Sequence, residues 1–451
     1  MQPQNIACTL TVILFASAPA TANGQVIRLM PELPGALIQP FPNSVSDDGR
    51  YVSATGFVAS GRRAAIRWDT QTGQLLDLAA TPIPGSVGLD TYAISADGSV
   101  IVGRSYTGGP DSQPFHWSES SGMTLIPGLP GGGFSTAIAV SADGNVVACE
   151  SNDAIGQTGF RWTPGGAGGA EQLIREAPDS IDEVWGISRD GNVILGRSSS
   201  SLAGTRNGAG WVGSPPDPVI ISNPDDARSV VFTDGSQDAE GVVGFAEFPA
   251  GYSQALLFFD GDFMFLDDPG AGEAGTRAVA CDANASVIIG HRVETQTNFP
   301  DSLVWIDAAP AQTLRELLDA RGVKLPSEYM LYGARGISGD GRFITAGLET
   351  LSGAFAGVLI DLSATVCSPA DVTSTGATLS GQRGYGIPDN TVDLDDLGYF
   401  LNAWLGGDVT IADFTTTGAT LEGQPGFGTS DGDVDLDDLG YFLNFWLTGC
   451  P

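Results

Sequence analysis

Short hydrophobic runs of β type alternate with polar turns over most of the chain, from residue 24 to about residue 363. Each unit has a Ser-x-Asp-Gly turn, a strand rich in Val and Ile, and, about 20 residues after the turn, an apolar group that usually ends in Trp. Asp-Gly between two such runs is typical of a hairpin, because Gly accepts positive φ and Asp bonds the local backbone. The turn anchors are Asp48, Asp97, Asp143, Asp190, Asp238, Asn284 and Asp340, and the matching apolar ends are Trp68, Trp117, Trp162, Trp211, Phe258, Trp305 and Leu359.

Successive anchors lie about 46 to 49 residues apart, except for the last interval, which is about ten residues longer. Seven units of this length, made of strands and turns, predict an all-β seven-bladed propeller over residues 24–363. The extra length of the last unit is assigned to a short helical insertion at residues 314–318. We expect the recurring Trp to pack between blades and not to stack on a ligand. The pattern leaves open which strand closes the ring.

After a linker at residues 364–370 the hydrophobic period changes from two to 3.6, which indicates helices. Residues 371–407 recur as residues 413–449, with roughly 26 of 37 positions identical. Each copy carries one apolar helical face, formed by Leu397, Phe400, Leu401, Trp404 and Leu405, and again by Leu439, Phe442, Leu443, Trp446 and Leu447. We therefore predict a small α-helical domain at residues 371–451 in which these two faces bury each other.

An acidic run precedes each helix and predicts a calcium loop of the EF-hand type, with some fifteen residues inserted between the third and fifth ligand positions. Asn390 and Gly432 stand at the position that needs left-handed backbone. The alternative is that these carboxylates only cap helices and keep the surface soluble. The predicted ligands of two calcium ions are Asp371, Thr373, Asp389, Thr391, Asp393 and Asp396 in the first copy, and Asp413, Thr415, Asp431, Asp433, Asp435 and Asp438 in the second.

Composition narrows the partners and the compartment. The chain has 53 acidic and 20 basic side chains, a net charge of −33, which argues against nucleic acid and anionic membranes. Residues 1–22 resemble a signal peptide, with an apolar run from Ile6 to Phe15 and then Ala20-Thr21-Ala22. No later run is apolar enough over eighteen residues to span a membrane. We expect an exported, extracellular or cell-surface protein.

Four cysteines remain after the expected cleavage. Cys367 and Cys450 bracket the duplicated segment, so a disulfide between them would tie its ends together. Cys149 and Cys281 lie in different repeat units, and we expect two buried free thiols.

No catalytic residue is predicted. His116 and His291 are the only histidines, and both stand in strand positions where a packed residue is expected. A glycosidase needs only two suitably spaced carboxylates, which the sequence cannot single out from 53. An enzyme should place unrepeated Asp, Glu, Arg or Tyr around one end of the central channel.

Two resemblances to known families follow from these residues. The DLDDLGYFL run in both copies and the terminal Gly449-Cys450 make the tail similar to a dockerin-like module, which implies calcium binding and a cohesin-like or cell-surface anchoring partner. The propeller units resemble extracellular HAF repeats, most closely at Pro114-Phe115-His116-Trp117.

Together the resemblances imply a secreted repeat protein attached to a surface or assembly through its tail. Because the repeat units show no polar motif specific to one blade, we expect a non-catalytic binding or scaffold propeller with a glycan or protein ligand. The alternative is a carbohydrate-active enzyme, a glycoside hydrolase or lyase, on a propeller carried by the same module.

Overall fold

The structure is a computed structural model that describes residues 25–78, 85–109, 111–165, 169–199, 206–224, 226–268, 275–293, 301–350, 353 and 355–450. The predicted signal peptide at residues 1–22 lies outside these residues. Within the described ranges, none of the helices combines the length and the apolar character that crossing a bilayer requires.

Strands fill the propeller region. A short first strand, β1 (Ile27–Leu29), precedes the repeat units. Three units of four strands follow: β2 (Ile38–Val45), β3 (Tyr51–Phe57), β4 (Arg63–Asp69) and β5 (Gln74–Asp77); β6 (Gly88–Ile94), β7 (Val100–Tyr106), β8 (Ser112–Ser118) and β9 (Gly122–Leu125); β10 (Ser135–Val140), β11 (Val147–Asn152), β12 (Gln157–Trp162) and β13 (Ala170–Gln172).

The remaining strands continue the same order. They are β14 (Ile181–Ile187), β15 (Val193–Ser199), β16 (Arg206–Val212) and β17 (Asp217–Ile221); β18 (Ser229–Gly235), β19 (Gly241–Glu247), β20 (Ser253–Phe259) and β21 (Asp262–Phe265); β22 (Thr276–Cys281), β23 (Val287–Arg292), β24 (Ser302–Ile306) and β25 (Gln312–Thr313); and β26 (Tyr329–Ile337), β27 (Phe343–Thr350) and β28 (Phe355–Asp361).

The sheets confirm an all-β propeller-like fold but correct the predicted count of seven separate blades. Five sheets have four strands each, while β14 to β21 form one eight-stranded sheet because β16 also pairs with β18 through a single parallel register, Arg206 with Ser229. The last sheet has the order β1-β28-β27-β26. The N-terminal strand therefore completes the unit at the other end of the propeller, a point that the sequence pattern left open.

The inner strands β2, β6, β10, β14, β18, β22 and β26 surround a central axis, each in contact with the next, and β26 contacts β2. Apolar cores lie between neighbouring units. Trp68 packs with Phe343 and Leu359 of the last unit, and Trp117 packs with Ala65 of the first. The repeated Trp thus has the inter-unit role that we predicted.

The Ser-x-Asp-Gly turns form as expected. In the first, Ser46 donates its hydroxyl to Asp48 (2.7 Å), which accepts the backbone N–H of Arg50 (3.0 Å), and Gly49 has φ 68°. The x residue has a separate role in linking the turns, because its backbone N–H can donate to the backbone carbonyl of the x residue in the next turn. For example, Asp47 donates to Ala96 at 2.8 Å.

The tail contains α2 (Leu394–Gly406), α3 (Val409–Ala412) and α4 (Leu436–Thr448), while α1 (Leu314–Asp319) is the predicted insertion in the last propeller unit. Phe400 and Phe442 stack with ring centroids 3.9 Å apart, so the two apolar faces bury each other at their centres as predicted. The last residue of each predicted face does not join this core, because Leu405 and Leu447 are exposed. The predicted disulfide Cys367–Cys450 is present, and Cys149 and Cys281 are buried free thiols.

Candidate functional site

In the first predicted calcium loop, the buried carboxylates accept hydrogen bonds from backbone N–H groups of the loop itself. Asp371 and Asp396 are buried, at 0% and 1% exposure. The carboxylate of Asp371 accepts the N–H groups of Asp389 (3.0 Å) and Asn390 (2.9 Å). Asp396 accepts the N–H groups of Thr373 (2.9 Å) and two other residues. The structure therefore brings the first and last predicted ligands into one loop.

The other predicted ligands of this copy form turns and a cap. Asp389 accepts the N–H of Thr391 at 3.0 Å, and the buried Thr373 hydroxyl accepts the N–H of Gly386 at 2.9 Å. Asp393 is the N-cap of α2 and forms a capping box with the buried carboxylate three residues on. Cap and turn chemistry thus accounts for much of the acidic pattern in this copy.

The second copy repeats these contacts. Asp413 accepts the N–H groups of Asp431 (3.1 Å) and Gly432 (2.7 Å), and Asp438, also fully buried, accepts backbone N–H groups at 2.8–2.9 Å. The predicted ligands that complete this loop are Thr415, Asp433 and Asp435.

The carboxylates are not assembled around a common point. Among the described residues, one set of three His, Cys, Asp or Glu ligand atoms lies within 4.8 Å, that of Cys367, Asp371 and Cys450, and both cysteines are bound in the disulfide. Burial and the negative charge of Asp396 raise the pKa of Asp371 to about 7. The observed arrangement does not fit a calcium ion without movement of carboxylate oxygens, and calcium binding stays a prediction.

Both loops touch the propeller. Lys324, the single lysine of the chain, donates to the carbonyl of Asp413 at 2.7 Å and lies over the ring of Phe414, 4.7 Å from its centroid. Gln25 donates its side-chain amide to the carbonyl of Asp389 at 3.0 Å. The tail is therefore docked on the propeller through the loops that carry the predicted ligands.

A cavity of about 800 Å³ follows the propeller axis and is lined by inner strands from all around the ring. The Ser-x-Asp-Gly end of this channel is crossed by an ion pair between Arg189 and Asp47, with N–O distances of 2.5 and 2.6 Å. Asp47 also accepts the N–H of Gly339 at 2.7 Å. We call the opposite end, where the inner strands begin, the mouth.

The mouth is not symmetric. In the second strand of each unit, the residue seven positions after the turn anchor pairs with the inner strand near the mouth. The side chain at this position differs in most units. These residues are Thr55, Arg104, Glu150, Arg197, Phe245, His291 and Gly347, and their inner-strand partners are Phe41, Asp90, Thr136, Glu183, Val231, Arg277 and Tyr332.

A backbone feature explains why this position matters. The inner strands carry β-bulges, for example between Thr91 and Ala93, which bring a carbonyl towards the neighbouring strand. Gly103 lies against the carbonyl of Asp90, where any Cβ would collide, and Gly196 lies against that of Glu183 in the same way. The residue after each such glycine is thereby held beside the mouth.

Charged side chains at the mouth form pairs within units and, between Arg63 and Asp90, across two units. Asp90 accepts from Arg63 at 2.7 Å and from the hydroxyl of Tyr106 at 2.5 Å. On the far side, Arg197 pairs with Glu183 at 2.9 Å. These contacts link neighbouring inner and second strands and fix the orientation of the guanidinium groups.

Several titratable groups in the channel have displaced pKa values, and three of them titrate between about 4 and 7. Burial, with the charge of nearby Glu183, raises the pKa of Glu150 to about 7. Burial raises the pKa of Asp234 to about 6. Burial and the positive charge of Arg277 lower the pKa of His291 to about 4, so this imidazole is neutral at ordinary pH.

Sequence reasoning missed these mouth residues. His116 is buried beside Trp162, as expected of a packed residue, but His291 is only partly buried and lines the channel. The signal that could have found the site is one variable position inside a conserved repeat: Arg104, Glu150 and His291 follow an aligned Gly or Cys.

Comparisons with solved structures show the fold alone. An oligogalacturonate lyase from Vibrio parahaemolyticus aligns with a TM-score of 0.51 at 11% identity, over 74% of this chain and 93% of that one. A prolyl endopeptidase aligns at 0.52 and 12%, over 73% of this chain and 49% of that one, so the match spans about half of that enzyme. TolB from Acinetobacter baumannii aligns at 0.40 and 12%, over 72% and 79%. No protein-family model and no curated protein matches the sequence.

Proposed function

We propose that the protein is a secreted binding propeller that takes a glycan or protein ligand at the mouth of its channel and is held at a surface or in an assembly by its C-terminal module. The observation that carries the proposal is the unrepeated set of polar and aromatic side chains at one end of the channel, which marks a ligand site. The same asymmetry is also what we expect of an enzyme, so it supports the second candidate below as well. Residues that serve only the repeat recur in every unit, whereas Arg104, Glu150 and His291 do not.

We further propose that the ring acts as seven blades, with the eight-stranded sheet counted as two. The support is that its two halves have the same order of four strands and meet only at isolated parallel bridges, Arg206 with Ser229 and Ser188 with Gly235, within the described residues. Seven inner strands also follow one another around the axis.

For the tail, the proposal is a dockerin-like module that binds two calcium ions and a cohesin-like or surface partner. Support comes from the duplicated loops with buried carboxylates and from leucines that stay exposed at equivalent places in the two copies. These are Leu394 (73%) and Leu436 (72%), and Leu405 (75%) and Leu447 (77%). Apolar side chains exposed at such matched positions suit a protein partner.

A calcium titration of the full chain tests the tail. Calcium should raise the melting temperature of the tail and slow amide exchange in α2 and α4 without changing the propeller, and the paired change Asp396→Asn with Asp438→Asn should abolish both effects. The matched control is Asp395→Asn with Asp437→Asn, which removes the same charge from residues outside the predicted ligand set. Identical melting with calcium and with chelator would exclude the calcium proposal.

A second candidate is a carbohydrate-active enzyme at the same mouth. The specific observation is that Glu150, with a pKa of about 7, lies near the carboxylate of Glu183, since carboxyl groups in contrasting environments can act as acid and base. Glycan-array screening of the full chain, followed by an assay for cleavage of whichever glycan binds, separates the two. Binding without cleavage supports the first function, and cleavage that Glu150→Gln removes supports the second.

A further inference from the structure

A side groove opens from the mouth between the first, second and last units. It has a volume of about 450 Å³ and joins the channel through shared residues such as Tyr92 and Arg335. We call it the mouth groove and define it by Phe41, Arg63, Asp90, Tyr92, Arg104 and Arg335.

The charge of the mouth groove is opposite to that of the protein. Three arginines and one carboxylate, Asp90, line it, which leaves an excess of positive charge in a chain whose net charge is −33. Two of the arginines share that carboxylate: Arg63 lies 2.7 Å and Arg104 3.5 Å from its Oδ2 atom. A local excess of this kind concentrates an anionic ligand.

Arg335 provides the free positive charge. Its side chain is exposed, it donates to the Asn43 side-chain carbonyl at 3.1 Å, and no ion pair joins it to a carboxylate within the described part of the chain. The guanidinium lies 4.5 Å from the ring centroid of Phe41. A planar fork held over an aromatic ring is suited to bidentate pairing with a carboxylate.

Aromatic rings form the wall beside this guanidinium. Phe41 stacks on Phe355 with centroids 5.7 Å apart, and Tyr332 lies 5.9 Å from Phe41. Apolar ring faces pack against the C–H face of a pyranose. The hydroxyl of Tyr332 donates to Glu349 at 3.1 Å, and its oxygen can accept a hydrogen bond from a sugar hydroxyl.

We propose that the mouth groove recognises a carboxylated sugar residue of an acidic oligosaccharide, with Arg335 pairing with the sugar carboxylate and the aromatic wall of Phe41, Tyr332 and Phe355 packing against the pyranose. This inference rests on the proposed binding function and specifies its ligand class. The combination of an uncompensated guanidinium and an aromatic wall favours a sugar acid over a neutral sugar, which would leave the guanidinium unused.

Calorimetric titration of the full chain tests the inference with four probes: trimers of galacturonate and of mannuronate, and the neutral galactotriose and mannotriose. An acidic trimer should bind at least about 10-fold more tightly than its neutral counterpart, with an affinity that falls as salt is added. Arg335→Gln should weaken that binding about 10- to 100-fold, and Arg335→Lys, which keeps the charge but not the fork, should lie between. The matched control is Arg50→Gln, which removes an arginine that pairs with Asp69 at 3.2 Å beside the first Ser-x-Asp-Gly turn, at the end opposite the mouth.

The possible outcomes distinguish failure of the acidic-sugar inference from failure of the proposed binding function. Equal binding of acidic and neutral trimers, or unchanged binding by a folded Arg335→Gln variant, overturns the carboxylate inference and leaves a glycan-binding propeller. Binding of an acidic peptide or nucleotide in place of any sugar also overturns the inference. Failure of a full glycan array overturns the glycan form of the proposed function as well.

Discussion

Single side chains at the channel differ from unit to unit in what they contribute. Arg104, Arg197 and His291 occupy one aligned position, yet two of them are ion-paired and the third is a neutral imidazole. Glu150 stands at the same position in the third unit, where burial makes its charged form unfavourable. Side chains at this position are not required by the propeller repeat, so they are free to vary in ways that suit a ligand.

The titration of Glu150 gives a pH prediction. Its pKa rises from 4.5 to about 7 on folding, so the native state keeps a proton that the unfolded chain has lost. Stability therefore decreases as pH rises from about 4.5 to about 7, and no further loss comes from this group above that range. Glu150→Gln cannot ionise and should remove the decrease, by at most about 3 kcal/mol at 1.4 kcal/mol per pKa unit.

The measurement is urea unfolding of both proteins at several pH values between about 4 and 8. The exposed Glu422→Gln is the control. A difference between wild type and Glu150→Gln that stays constant over this range would contradict the assigned pKa.

For single residues, the sequence predicted the roles that depend on contacts with residues nearby in the chain or at equivalent places in the repeat. The contact of Ser46 with Asp48 spans two residues, and Trp68 needs only an apolar neighbour, so both followed from the repeat. The mouth residues did not, because a bulge in the inner strand sets which residue of the second strand faces the axis. The predicted calcium ligands of each copy lie in one loop, and their oxygens bond backbone N–H groups that lie up to 24 residues away in sequence, which the spacing of the acidic residues did not indicate.

Among the elements, the inner strands are tied to one another just beyond their ends. The turns hydrogen-bond to one another in sequence around the axis. The x residues donate at 2.7–2.9 Å from Asp47 to Ala96, Ala142 and Arg189, and again from Gln237 to Ala283 and Gly339. Between these two runs, Arg189 donates to Ser236 at 3.3 Å and Asp190 donates to Gln237 at 2.8 Å. The last link returns from the N–H of Gly339 to the side chain of Asp47. One aspartate carboxylate therefore completes a circuit that is otherwise made by backbone.

Substitution of Asp47 tests this circuit. Asp47→Ala should destabilise the propeller by about 1–2 kcal/mol, because the Gly339 N–H and the Arg189 guanidinium both lose their acceptor. Asp47→Asn keeps an acceptor for the N–H but loses the ion pair, and should cost less.

The control is Asp301→Ala, which removes an exposed partner of Arg292 while that arginine keeps a second carboxylate. Urea unfolding measures all three. If Asp47→Ala and Asp301→Ala have the same free energy of unfolding, the hydrogen bonds of Asp47 do not stabilise the propeller beyond an exposed ion pair.

In the tail, the helices are joined by a reciprocal pair of contacts. Trp404 donates its indole N–H to the carbonyl of Asp435, and Trp446 donates to that of Asp393, both at 2.6 Å. Each tryptophan near the end of one helix meets the N-cap of the other, so α2 and α4 run antiparallel. The helical period predicted which faces are buried. The antiparallel, two-fold arrangement of the helices could not be predicted from it and is seen only in the structure.

At the scale of the whole molecule, the disulfide and the docking contacts hold the tail together and against the propeller. Cys367 and Cys450 are 83 residues apart in sequence and enclose both loops. The sequence predicted this bond from its position around the duplicated segment. It did not predict that Lys324 would reach the second loop, because that contact links residues 89 apart with no shared pattern.

Removal of the disulfide should loosen the tail alone. Cys367→Ser with Cys450→Ser frees a closed loop whose entropy is worth about 4 kcal/mol in the chain-entropy model. Hydrogen exchange of α2 and α4 should quicken accordingly, while the inner strands of the propeller keep their protection. Wild type under reductant is the control and should match the variant, whereas unchanged exchange in α2 and α4 would contradict the assignment.

The pairing of Ile27 with Ile360 has a consequence for how the chain is made. Strand β1, the first that the structure describes, can pair only after β28 has been synthesised. Until then a nascent chain exposes two unpaired sheet edges, which are prone to aggregation. A chaperone that protects this intermediate would have to remain bound until synthesis has passed Asp361.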